Sequence, residues 1–303
     1  MLIEMLQKDY IAEKRFEGLT DNSIQSYERL FALWRGWLSQ KGIERTEELT
    51  RENTREFLLW GIQERNWKPK TTNSKLKLLR AISKWCVDEG IVDESFTRGI
   101  KLQREDDSPK ILLEKDLQTV LRYLRRVSRR EDTFTARRNY TLILYLAGTG
   151  KRLGETCLLQ WDDIDFDSSL ITIRTNKSRK RQSVPLSDML SDELLDYKRF
   201  IERRLGRLPT HVFVTRRGAP LQKESVKNIF KRLKAKLGLE GSFSPHTLRN
   251  YFIKGLLING SNLREAQLLA RHSKIDVTRQ YVGYFAHELK EILDDKNPLR
   301  KLL

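Results

Sequence analysis

Two cysteines in a chain of 303 residues are too few for a disulfide framework or a cysteine zinc site. Both Cys86 and Cys157 sit inside apolar helical patterns, where a thiol serves as a small hydrophobe. No uncharged apolar run reaches the roughly 18 residues that a membrane span needs. The opening Met1–Asp9 is too short and too acidic for a secretory signal. The expectation is therefore a soluble, cytoplasmic protein with no membrane partner. Internal repeats and low-complexity segments are missing as well. So is metal-ligand spacing: no Asp/Glu pair clusters suitably, and the histidines at 211, 246, 272 and 287 contain no i, i+4 pair. Neither a metal nor another cofactor is expected. Acidic residues are in deficit, 41 against 58 lysines and arginines, which gives a formal net charge of +17. Such a field concentrates polyanions, and nucleic acid is the partner it points to.

The length suits two domains, each with its own apolar interior. Ile24, Tyr27, Phe31, Trp34 and Leu38 share one helix face after the cap-like Thr20-Asp21-Asn22. A second helix is signalled by Thr50 ahead of Phe57, Leu58 and Trp60. A third begins near Thr71-Thr72-Asn73, carries Leu76, Leu79, Ile82, Trp85 and Cys86, and stops at Gly90. With the amphipathic opening segment this makes a module of about four helices. Lys68, Lys70, Lys75, Lys77, Arg80 and Lys84 suit either a solvated helix face or a DNA-backbone contact. The stretch from 103 to 110 has no apolar residue and includes Pro109, as an interdomain linker would.

Beyond it Leu117, Val120, Leu121, Leu124 and Val127 restart a helical stripe, and Tyr140–Leu146 forms a nearly all-apolar helix that should be central. The runs 170–174 and 182–186 read as two strands of a hairpin around a polar turn, and His211–Thr215 as another short strand. Helical patterns return over 226–237, 247–258 and 263–270. The fold class is mainly α with a small antiparallel β-sheet.

Phosphodiester chemistry needs a nucleophile, cations on the nonbridging oxygens and an acid for the departing oxygen. Without a metal, arginine and lysine would supply the cations. Arg152 follows Gly148-Thr149-Gly150 at the end of the apolar helix, where a guanidinium grips a phosphate with two donors or is an ordinary surface group beside a capping glycine. The same stretch fails as a Walker loop, because Tyr145 stands where the first glycine belongs and Arg152 where Ser or Thr must hold magnesium. His246 and Arg249, three apart at a helix start, project from one face. Lys177 and Lys180 lie in the hairpin turn, and residue physics does not separate them as a proton donor. Tyr281 follows His272 by nine positions and supplies a phenol, with Tyr284 as its rival.

These motifs, taken in order, resemble the tyrosine recombinases, the family of phage integrases and Xer-type and Cre-type enzymes. The resemblance is carried by Thr149–Glu155 with Leu159–Asp165, by His246-Thr247-Leu248-Arg249, and by the stretch from Asn259-Gly260 through Arg271-His272-Ser273 to Tyr281. It implies a two-domain DNA clamp: a helical core-binding domain over 1–102, a linker over 103–110 and a catalytic domain over 111–303. It also implies Arg152, Lys177 rather than Lys180, His246, Arg249 and His272 as the catalytic set around Tyr281 as nucleophile, with Glu155 as an acidic helper beside Arg152. The implied activity is site-specific recombination through a 3′-phosphotyrosine and a Holliday junction. The implied partners are double-stranded DNA and a homo-tetramer on two DNA sites, with a C-terminal helix around Phe285, Leu289, Ile292 and Leu293 docked on a neighbouring protomer. A type IB topoisomerase would use the same chemistry, and a binding-only DNA protein would keep the fold without cleavage. Three residues depart from the family's usual pattern: Lys151 replaces an apolar residue, Arg271 a glycine and Asn250 a histidine, the first two adding cations near the expected phosphate.

Overall fold

The computed structural model describes residues 1–105, 110, 112–131, 133–173 and 182–271. The chain divides into two compact units, Met1–Asp106 and Asp107–Leu303. The description matches the sequence-derived class, mostly helical with one small antiparallel sheet. Among the described residues no helix is long and apolar enough to cross a membrane.

The first unit contains α1 (Ile3–Phe16), α2 (Asp21–Gln40), α3 (Arg51–Gln63) and α4 (Pro69–Asp88). Their inward stripes bury Leu6, Tyr10, Phe31, Trp34, Phe57, Leu76 and Leu79 in one core. Thr50 caps α3 as expected: its hydroxyl accepts from the Asn53 N–H at 3.2 Å, and the Asn53 side chain accepts from the Thr50 N–H at 3.0 Å. The start of α4 differs from the expected Thr71. Pro69 occupies the first helical turn, where its missing N–H costs nothing, so the helix begins earlier. Asn73 is thereby released from capping and instead clamps the chain after the domain's last turn, donating to Gln103 O at 2.8 Å and Glu105 Oε1 at 2.7 Å. Lys68 at the N-cap of α4 is exposed, as are Lys70, Lys77, Arg80 and Lys84 on the helix. Arg80 reaches the Ile100 carbonyl.

Gly61 in α3 is required by close approach. A Cβ there would lie 2.1 Å from Cε3 of the Trp67 ring. In an open helix Gly→Ala stabilises by up to about 1 kcal/mol, whereas overpacking a tight contact costs about 1–3 kcal/mol. Overpacking should win, so Gly61→Ala lowers the unfolding free energy by roughly 1–2 kcal/mol, read as an earlier midpoint in urea denaturation.

The second unit contains α5 (Glu114–Glu131), α6 (Phe134–Thr149), α7 (Leu153–Leu158), β1 (Ile164–Asp165), β2 (Leu170–Ile173), β3 (Gln182–Pro185), α8 (Asp188–Leu205), α9 (Lys223–Leu237), α10 (Pro245–Ile258) and α11 (Leu263–Ala270). The apolar helix α6 is central and packs against α5, α8 and α10. The sheet is antiparallel in the order β1-β2-β3, with Ile171 opposite Ile164 on one side and Val184 on the other. All three of these side chains are buried on the core.

His211–Thr215 does not form the expected strand. Its residues make isolated bridges, His211 with Gln160 and Val214 with Pro220. Val212, Phe213 and Val214 are all fully enclosed, so the segment lacks the in-and-out alternation of a half-buried strand. The buried Arg138 guanidinium secures this segment by donating to Val214 O at 3.1 Å. Both cysteines are buried free thiols, and burial pushes Cys86 up to about 12 and Cys157 up to about 11.

Candidate active site

Helix α6 ends on Gly150, whose left-handed φ of 58° lets its N–H close back on Leu146 O. A side chain here is opposed twice, by the backbone and by the ring of Phe252 on α10, since a Cβ would lie 2.4 Å from Phe252 Cδ1. The tight turn sends the chain immediately into Lys151 and Arg152, with Arg152 as the N-cap of α7. The half-exposed Arg152 guanidinium donates through Nη1 to Glu155 Oε1 at 3.3 Å and through Nη2 to Arg271 O at 3.1 Å.

Helix α10 begins with Ser244 as its cap, accepting from the Thr247 N–H at 3.2 Å, and Pro245 in the first turn. His246 on that turn is exposed. One turn on, Arg249 is buried, 7% exposed. Its Nη1 donates to Gly150 O and its Nη2 to Ala270 O, both at 2.5 Å. Arg249 thus ties the end of α6 to the end of α11, and Arg152 binds the adjacent carbonyl of the same α11 terminus. Two arginines separated by nearly a hundred residues converge on the backbone of Ala270 and Arg271, directly before His272.

Glu155 orders this group. Its side chain is 14% exposed and its Oε1 lies 3.3 Å from Arg152 Nη1 and 3.2 Å from Arg271 Nη1. Arg271 itself has a φ of 55°, a conformation that favours glycine. The ion pair to Glu155 helps retain an arginine there. Glu155→Gln removes the charge shared by two guanidiniums, and breaking the largely buried pair with Arg271 costs about 3 kcal/mol. Thermal unfolding should show that loss, whereas an unchanged midpoint would mean that Glu155 is a passive neighbour.

Lys151 was expected from its position to add a cation near the phosphate. It is instead enclosed, 3% exposed, with no hydrogen-bond partner for Nζ among the described residues. Burial pushes its amine down to about 7, and the Arg271, Arg249 and Arg152 guanidiniums act in the same direction against Glu155.

Of the six residues singled out in the sequence, Arg152 and Arg249 meet at the ends of α6 and α11, and His246 is exposed on the first turn of α10. Lys177, His272 and Tyr281 lie outside the described residues, as do Lys180, Tyr284 and the expected C-terminal helix. Sequence reasoning missed the roles of Gly150 as the turn that Arg249 grips and of Arg271 as the second partner of Glu155. The glycine was visible as a helix terminator, but its contact with Phe252 had no signal in the chain.

Comparison with known proteins gives the lineage. Residues 110–287 match the phage integrase family and residues 8–90 match the phage integrase N-terminal SAM-like domain. Tyrosine recombinase XerC of Xanthomonas campestris pv. campestris (strain B100) is 27% identical over 92% of this chain and 84% of its own length. The XerC of Bacillus pumilus (strain SAFR-032) is 27% identical over 98% of this chain and 95% of its own. Among solved structures, the Tn1549 transposon integrase in complex with transposon right end DNA has a TM-score of 0.76 at 20% identity, covering 93% of this chain and 94% of that one. A lambda integrase tetramer bound to a Holliday junction has a TM-score of 0.75 at 16% identity, covering 93% and 77%. The fold is theirs, and with the family match spanning most of the second unit, the chain belongs to the phage integrase family of tyrosine recombinases.

Proposed function

We propose that this chain is a site-specific DNA recombinase in which Tyr281 attacks a phosphodiester held by Arg152 and Arg249. The observation that carries the reading is the convergence of those two guanidiniums on the chain immediately before His272. The Tyr281 oxygen forms a bond to phosphorus as the bond to the 5′-oxygen breaks, leaving a 3′-phosphotyrosine and a free 5′-hydroxyl. Lys177 gives the departing oxygen its proton, and His272 or its partner receives the phenolic proton. His246 and His272 hydrogen-bond the phosphate while the arginines balance the charge that accumulates on its oxygens. The ester conserves the energy of the cleaved bond, so a 5′-hydroxyl from a second DNA reseals it without ATP.

The partners in this reading are double-stranded DNA and three further copies of the chain on two DNA sites, exchanging strands in pairs through a Holliday junction. The net positive charge and the exposed lysines of α4 support a grip on duplex DNA. The residues after Tyr281 dock on a neighbouring protomer, and the setting is the cytoplasm. Incubation with a nicked suicide duplex from its neighbouring genomic DNA should trap a covalent complex. A two-site assay should then yield recombinant products. Relaxation of one supercoiled plasmid with no exchange between sites would favour a type IB topoisomerase, and binding without any adduct would leave a DNA-binding protein.

A further inference from the structure

We propose that Lys151 is the proton-linked member of the phosphate site: its enclosed amine takes up a proton from solvent when a DNA phosphodiester docks against Arg152 and Arg249. The inference rests on the reading of this junction as the phosphate site. Three observations support it. Nζ is fully enclosed and has no hydrogen-bond partner among the described residues, which is costly for an ammonium and mild for an amine. Cationic groups face it from three elements, namely Arg152 at the start of α7, Arg249 on α10 and Arg271 at the end of α11, and they disfavour a further positive charge. The opposing carboxylate, Glu155, is already shared by Arg152 and Arg271.

Among the described residues, the surrounding titratable groups leave the exchange to Lys151. Tyr145 on α6 is buried and its hydroxyl is pushed far up by that burial, so it stays neutral. On α9, Lys223 approaches α7 at Gly154, where a Cβ would lie 3.2 Å from its Cε, and it adds to the positive side. His246 is exposed at the start of α10. Without DNA the cluster holds more positive charge than the interior tolerates, and Lys151 relieves it by losing its proton. A phosphodiester brings a full negative charge to the same cations. The balance is then reversed, and the amine becomes an ammonium by taking one proton from solvent, with no other bond made or broken.

Linkage gives the direction of the pH dependence. A group that is neutral in free protein and protonated in the complex makes affinity fall as pH rises above the free-state value, here about 7. The fall is about tenfold per pH unit for one proton. Permanently charged arginines in the same place would give no such slope.

The test uses full-length protein carrying Tyr281→Phe, so that cleavage adds no heat, and a duplex containing the mapped attachment site. Calorimetric titration at pH 8.5 in buffers of different ionisation heat counts the protons exchanged. About one proton should be taken up with Lys151 present, and almost none in Lys151→Met, which fills the site with an apolar side chain of similar volume. Lys151→Gln serves as a second variant and should behave like Lys151→Met. Equal proton counts with and without Lys151, or no uptake in its presence, would overturn the inference. Trapping of the covalent adduct by protein with Tyr281 intact is scored separately. An adduct with equal proton counts defeats Lys151 alone, and no adduct defeats the cleavage reading.

Discussion

Arg249→Lys should reduce the rate of covalent attachment to DNA by about a hundredfold to a thousandfold, the usual loss for one donor aimed at transition-state charge. Lysine keeps the positive charge, so electrostatic attraction to DNA would change little. What it cannot keep is the planar fork. Arg249 spans two carbonyls, Gly150 O on one side and Ala270 O on the other, and a single ammonium on a flexible stem cannot meet both while presenting a donor to a phosphate. One buried carbonyl would be left unsatisfied, at a cost of about 1–3 kcal/mol in stability. Measuring attachment rate, DNA affinity and unfolding on the same variant separates these effects. A large fall in rate at nearly constant affinity is the expected pattern. An Arg249→Lys protein that attaches DNA at the original rate would remove Arg249 from the chemistry.

Gly150→Ala should destabilise the second unit by about 2–5 kcal/mol, from a left-handed backbone cost of about 1–2 kcal/mol and overpacking of about 1–3 kcal/mol. The steric part comes from Phe252 Cδ1, 2.4 Å from the added carbon. The conformational part comes from the φ of 58°. Because Arg249 binds the carbonyl of this residue and Arg152 follows two positions later, movement of the turn displaces both guanidiniums together. Attachment activity should therefore fall even at temperatures where the protein remains folded. Adding Phe252→Ala relieves the clash but not the backbone strain, so the pair should interact favourably in a double-mutant cycle. Strict additivity of the two changes would mean that the ring and the turn do not touch.

Local chemistry made much of the first unit legible. Thr50 marked the start of α3, and the stripe from Ile24 to Leu38 marked α2, because caps and 3.6-residue periodicity are written in neighbouring residues. The start of α4 was misjudged because Thr71-Thr72-Asn73 has the composition of a cap, while Pro69 sets the true boundary and Asn73 is drawn into a contact thirty residues away. Helix α8 is absent from the sequence-derived elements although Leu190, Leu194, Tyr197 and Ile201 keep helical spacing; its stripe follows within four residues of the strand run that ends at Leu186. Strand β1 has two residues, too few to leave a period. The segment around Phe213 looked like a strand because its residues are β-formers, but tertiary burial on every side overrode that preference.

At the site, the ordered motifs identified Arg152, His246 and Arg249 as candidates, and Glu155 as the acid beside Arg152. The sequence held no sign that Arg249 would be buried with both ends of its fork on backbone carbonyls, because those partners depend on how α6, α10 and α11 pack. It also treated Lys151 and Arg271 alike, as added positive charge. Their surroundings separate them: Arg271 is paired with Glu155, whereas Lys151 is enclosed without a hydrogen-bond partner among the described residues.

The most direct measurement is to trap the DNA adduct on a nicked suicide duplex, digest it with protease and nuclease, and identify by mass spectrometry the residue that carries the phosphate. Tyr281 should bear the 3′-phosphate, with Tyr281→Phe giving no adduct and Tyr284→Phe giving one. Phosphate on Tyr284, or an adduct that survives Tyr281→Phe, would contradict the account.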